Sequence, residues 1–201
     1  MVFDPKKEFK KQYTASTKRV DLVSIPAQNY IMVDGIGNPT NEEFRLKSEI
    51  LRLVSREIKK QMAKDNIEIA YGYLEGMWDT YDNEHFDVQR KSDIRFTLMM
   101  CQHPNVDESL LDRVKGVLLD STSNPYLLDV YVQEIPANDS VQMLHKGTYN
   151  SEINTTKKIM EYITVENIKL SGLHHEIYLN SAKRVKPECL KTIVRYEIEK
   201  A

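Results

Sequence analysis

The stretch VDGIGNPTNEEF, residues 33–44, leaves an apolar run through glycine and enters a segment with acidic residues at its start. The stretch LHKGTYNSEINT, residues 144–155, does the same. Glycine at such a point relieves a tight turn. Polar caps and first-turn carboxylates suit a helix start, where unpaired N–H groups and the dipole favour oxygen and negative charge. Each stretch therefore reads as a strand-to-helix junction, and their likeness is the first sign of an internal repeat.

Outward from the first junction, RVDLVSIPAQNYIMVDGIG is extended, interrupted at Pro26, with a strand through NYIMVDG. Thr40 or Asn41 caps the helix behind it, in which Phe44, Ile50, Leu51, Val54 and Ile58 recur at helical spacing. EIAYGYLEGMW and DIRFTLMMC then read as two strands joined by a polar turn, DTYDNEHFDVQRKS. Around the second junction the order is a strand SVQMLHKG, a helix SEINTTKKIMEYITVEN, and strands LHHEIYL and CLKTIVRYEIE. DESLLDRVKGVLLDS, a short amphipathic helix, and YLLDVYVQEIP, a strand, fill the middle. Both halves run strand–helix–strand–strand. The expected class is α+β, with two βαββ units related by pseudo-two-fold symmetry and a ligand cleft between them. One domain over 1–201 is expected, with approximate repeats 20–101 and 138–199 and a connecting insertion 102–137.

The totals exclude several classes. Lys and Arg number 28 against 30 Asp and Glu, so no basic field draws the chain to nucleic acid or lipid. The basic segment KKEFKKQYTASTKR reads as a solvated terminus. The nineteen residues before Val20 are too few for a helix-turn-helix. Cys101 and Cys189 have no metal-like spacing, and a reducing compartment suits them. MVFDPKKEFK lacks the apolar core of a signal peptide, and no apolar run approaches the ~20 residues of a membrane span. A cytoplasmic protein with a small-molecule partner, and neither nucleic acid nor membrane, is the expectation.

Chemistry-bearing residues gather in LHHEIYL. In a strand, Leu173, His175, Ile177 and Leu179 share one face, and His174, Glu176 and Tyr178 the other. Ile177 and Leu179 suit a helix-covered core, which would turn Glu176 to the opposite side. A carboxylate there can hold a cation, take a proton from water or sit hydrated; the residues alone favour hydration. Consecutive His174 and His175 diverge, and no HExxH or CxxC pattern exists, which argues against a metal. GIG at 35–37 lacks the further glycine of a dinucleotide fingerprint, so no cofactor is expected. Trp78, with Tyr71 and Tyr73 around Gly72 and Gly76, reads evenly as core cluster or ligand platform.

LHHEIYLNSAKRVKPECLKTIVR, MLHKGTYNSE and YLEGMW, together with FDPKKEFKKQY and YIMVDGIGNPTNEEF, resemble the GyrI-like small-molecule-binding family. The likeness is to its stand-alone bacterial branch, related to effector domains of multidrug-responsive transcription regulators. It implies two βαββ units around a hydrophobic cleft, with Glu176 in the pocket facing cationic aromatic ligands. The expected ligand-binding residues are Glu176, Trp78, Tyr71, Tyr73, His145 and His174. Some similar proteins hydrolyse cyclopropane-bearing DNA-alkylating compounds, for which Glu176 would be general base and Tyr149 or Tyr178 the proton donor. Asp79 stands where the branch often carries a second tryptophan, so the aromatic rim is expected to be smaller or more polar.

Overall fold

The computed structural model describes residues 2–37, 39–80 and 94–199. Most of the polar turn expected at 79–92 lies outside them. A short helix α1 (Pro5–Glu8) precedes strands β1 (Asp21–Ile25) and β2 (Gln28–Ile36), helix α2 (Glu42–Lys64), and strands β3 (Leu74–Thr80) and β4 (Ile94–Cys101). Helix α3 (Glu108–Leu119) leads to strands β5 (Tyr131–Ile135) and β6 (Asn138–Lys146) and helix α4 (Ile153–Val165). Strands β7 (Lys169–Leu170), β8 (His174–Tyr178) and β9 (Lys191–Glu199) follow. The α+β class holds, and the helices and strands read from the sequence recur in the same order, with α1, β1 and β7 added.

The strands form one antiparallel sheet in the order β1-β6-β9-β8-β3-β4-β2-β5, with β7 on β9. Exchanging β1 with β5, β2 with β6, β3 with β8 and β4 with β9 reverses this order onto itself. The strand order of the two halves is alike. Each unit also has a short first strand, β1 or β5, that pairs in the opposite half, with β6 or β2. Pro26 and Pro136 mark where those short strands end, since proline cannot donate to a ladder.

Both junctions behave as their sequences require. Gly37 and Gly147 take φ of 107° and 135°, a region that side-chain-bearing residues rarely occupy. Asn41 caps α2 by accepting from the Phe44 N–H at 2.8 Å. Glu152 holds the corresponding place before α4 yet makes no side-chain cap. Its carboxylate is directed elsewhere.

One face of the sheet is covered by helices. Ile50, Leu51, Val54 and Ile58 of α2 pack with Ile31, Val33, Phe96 and Leu98 beneath them. Ile159 and Ile163 of α4 pack on Val141, Met143, Val194 and Tyr196. The opposite face is closed by the N-terminal segment: Tyr13 packs with Ile177 and Ile193, and Phe9 lies against the same group. The segment expected to be solvated is thus partly a lid. Arg195 donates to the Gln12 carbonyl at 2.6 Å and to Gln142 Oε1, and Tyr13 donates to Glu75 Oε1 at 2.9 Å. Backbone and polar side chains of the segment satisfy groups that the sheet would otherwise bury unpaired.

Candidate functional site

Strands β3 and β8 join the two halves. Their register sets Leu74 opposite Tyr178, Gly76 opposite Glu176 and Trp78 opposite His174. Cross-strand partners project from the same face, and Leu74 and Trp78 belong to the core under α2. On the other side Glu176 pairs with Val194, which belongs to the core under α4. Glu176 therefore projects from the helix-bearing face, at the seam between the two cores. This corrects the expectation that it faces away from the helices. The alternation was right; the assignment of Ile177 to the helix-covered core was not. Ile177 is buried under the N-terminal segment instead.

At the seam three ionisable groups converge. His174 Nε2 lies 3.1 Å from Glu176 Oε1 and 3.3 Å from Glu152 Oε1. His174 Nδ1 meets the Tyr196 hydroxyl, which fixes the ring's orientation. Glu152, 3% exposed, keeps its second oxygen buried without a hydrogen-bond partner. Burial first, and then the charge of Glu176, push the Glu152 carboxyl up to about 8 against the opposing pull of His174. Burial opposes a charged His174. The Tyr196 hydroxyl and the two glutamates outweigh it and raise its pKa well above the ordinary value. Tyr149 and Tyr178 pack edge-on, with ring centroids 6.2 Å apart. Burial, reinforced by Glu176 and Glu152, raises both phenols, so each remains a proton donor.

The structure thus brings Glu176, His174, Tyr149 and Tyr178 together. Trp78 lies beside this group, opposite His174 and next to Gly76, while Tyr71, Tyr73 and His145 lie elsewhere. Trp78 is 2% exposed and stacks on Phe44 at 5.7 Å, and so belongs to the core. Tyr71 is exposed, with Lys59 over its ring. Tyr73 lies on the opposite face against Tyr13. His145 binds Thr155 Oγ1 and the Thr148 carbonyl, both at 2.9 Å, and pins the second junction. Glu152 was missed. It stands one turn after Tyr149, in the very junction quoted above, but nothing local distinguishes it from a first-turn acid. It reaches His174 from the start of α4, a meeting that no local pattern such as HExxH or CxxC records.

Gly76 supplies the room beside Glu176. A Cβ there would stand 3.1 Å from Trp78 Nε1 and 3.2 Å from Tyr178 Oη. Gly76→Val is expected to displace Tyr178 and destabilise the fold by about 1–3 kcal/mol, as overpacking does. Chemical denaturation measures it; an unchanged midpoint would show that the seam yields freely. Two concavities lie elsewhere and do not touch Glu176. A cavity of about 50 Å³ on the opposite face is lined by Tyr30, His175 and Arg195, and a recess of about 500 Å³ by Asp34, Lys47 and Arg95. Size favours the recess, but the convergent ionisable groups lie at the seam, which identifies the candidate site.

An antiparallel sheet with helices on one face makes this an α+β domain. The GyrI-like small molecule binding domain matches residues 18–197, and the chain belongs to that family. It is similar to an uncharacterized conserved protein from Listeria innocua, at TM-score 0.90 and 26% identity, covering 98% of this chain and all of that one. It is also similar to a hydrolase from Listeria innocua, at TM-score 0.89 and 25% identity, covering 99% of this chain and all of that one. The EcmrR C-terminal domain shares the fold at TM-score 0.62 and 15% identity, over 91% of this chain and 98% of that one. No curated protein matches. No helix among the described residues is long and apolar enough to cross a membrane.

Proposed function

We propose that the protein binds flat hydrophobic or cationic compounds at the seam, with Glu176 as their charge partner. The observation that carries this is a carboxylate on the helix-bearing face, between two apolar cores and beside two tyrosine rings. Tyr149 is 41% exposed, so it can swing aside to admit a ligand without disturbing either core. Glu176→Gln is expected to weaken tetraphenylphosphonium by about 1–3 kcal/mol, the worth of a hydrogen bond or contact to a charged group, and a neutral aromatic such as naphthalene much less. Titration calorimetry separates the two. Equal losses would remove Glu176 as the charge partner.

Hydrolysis of cyclopropane-bearing genotoxic compounds is a second reading. It is favoured by the pairing of Glu176 with protonated donors and by similarity to the Listeria innocua hydrolase. In a cyclopropane conjugated to a dienone, water attacks the strained carbon and Glu176 takes its proton. The ring C–C bond breaks, and its electron pair moves to the carbonyl oxygen as a phenolate, which takes a proton from a donor. Tyr149, Tyr178, the protonated Glu152 and the protonated His174 are donors within the cluster. Binding is the primary reading because it needs only the acidic seam and its apolar walls.

A further inference from the structure

We infer that Glu152, His174 and Glu176 form a binding site for a divalent transition-metal ion, best matched to Zn²⁺. One donor atom from each residue lies within 4.8 Å of the others. The imidazole nitrogen stands 3.1 and 3.3 Å from the two carboxylate oxygens. Ligands at the usual zinc bond lengths of about 2.0–2.2 Å stand about 3.3–3.6 Å apart around a tetrahedron. The two imidazole–carboxylate distances already stand close to that spacing.

A second observation is independent of this proximity. The other oxygen of Glu152 is buried and has no hydrogen-bond partner, while the helix it precedes goes without the side-chain cap that Asn41 gives α2. A carboxyl withdrawn from capping, with one buried oxygen lacking a hydrogen-bond partner, offers that oxygen to a cation. With both carboxyls and the imidazole deprotonated, as metal ligation requires, the three groups carry a formal charge of two negatives, which one divalent ion balances and an organic monocation does not. The contact from His174 Nδ1 to Tyr196 orients the ring from behind, as metal-bound histidines are oriented. An imidazole among the donors argues against Mg²⁺ and Ca²⁺, which take oxygen. Three protein ligands leave a fourth position beside Tyr149 and Tyr178, the arrangement of a zinc site that can take water or substrate.

This inference stands apart from the organic-ligand reading, but the two meet at Glu176, so Zn²⁺ and tetraphenylphosphonium are expected to compete. Chelator-treated protein dialysed against Zn²⁺ should hold one ion per chain by elemental analysis. Glu152→Gln and His174→Gln should each weaken it by on the order of 100-fold, the upper end of what even an outer-shell partner costs. Zinc held at surface groups such as Cys189 would ignore both substitutions. No bound ion in the parent, or unchanged affinity in either folded variant, overturns the site. Should neither variant fold, the anomalous signal of a zinc-soaked crystal decides. An ion bonded to all three residues supports the site, and one elsewhere or none overturns it.

Discussion

Arg195→Met is expected to cost about 3–5 kcal/mol of stability, the range for removing one partner from a buried charge network. For a chain of this length that lowers Tm by on the order of 10 °C. Arg195 is 2% exposed, opposite His175 in the β8–β9 register. It donates to Gln142 Oε1 through both Nε and Nη2, and to the Gln12 carbonyl. Burial lowers its pKa, and Glu75 offers the largest counterweight. Glu75 is fully buried and in turn accepts from Tyr13 and contacts His175 Nε2 at 2.9 Å. Methionine fills much of the volume but leaves Glu75 without its nearby cation and Gln12 without its donor. The N-terminal segment should then loosen, so early proteolytic cleavage before Val20 is a second readout. Adding Glu75→Gln should recover part of the loss, because it removes the stranded charge. A loss under about 1 kcal/mol, a typical neutral hydrogen bond, would show that water replaces the guanidinium at no great cost.

Glu176→Gln is expected to slow opening of a spirocyclopropyl dienone by roughly 10²–10⁴-fold, the usual general-base contribution, while retaining neutral-ligand binding. Single turnover and steady state must both be followed. Substoichiometric protein that converts the whole substrate pool is an enzyme; product that stops at one equivalent marks a sink. Tyr149→Phe and Tyr178→Phe then apportion the donor role: the true donor loses rate, and the other alters only binding. If the Glu176→Gln protein turns over as fast as the parent, the base lies elsewhere even if hydrolysis is real. Trp78→Ala should act mainly through stability, because Trp78 stacks within the α2 core.

Much of the architecture was legible. Phe44, Ile50, Leu51, Val54 and Ile58 marked α2 by spacing, and all but the half-buried Phe44 are fully covered in the structure. The two glycine junctions were legible because a positive φ is a local demand that few other residues meet. The separate strand β1 and the docking of Tyr13 were not. A five-residue strand ending at proline has little periodicity, and a basic segment gives no sign that its sparse aromatic residues find a partner on a distant sheet face.

The alternation in LHHEIYL, read from the sequence, placed His174, Glu176 and Tyr178 on one face. Side-chain period in a strand is fixed by backbone geometry. Which face that was, only the tertiary structure decided. Both sides of the sheet are covered here, one by helices and one by the N-terminal segment, so the apolar Ile177 suits either and its hydrophobicity cannot choose. The same holds for Glu152. A first-turn acid is ordinary until the packing of α4 onto β6 and β9 brings it beside His174. The sequence by itself determined the order of elements, the repeated junctions and the family. Tertiary packing decided which charges share a buried site, because that depends on chain segments meeting at distances no local pattern records.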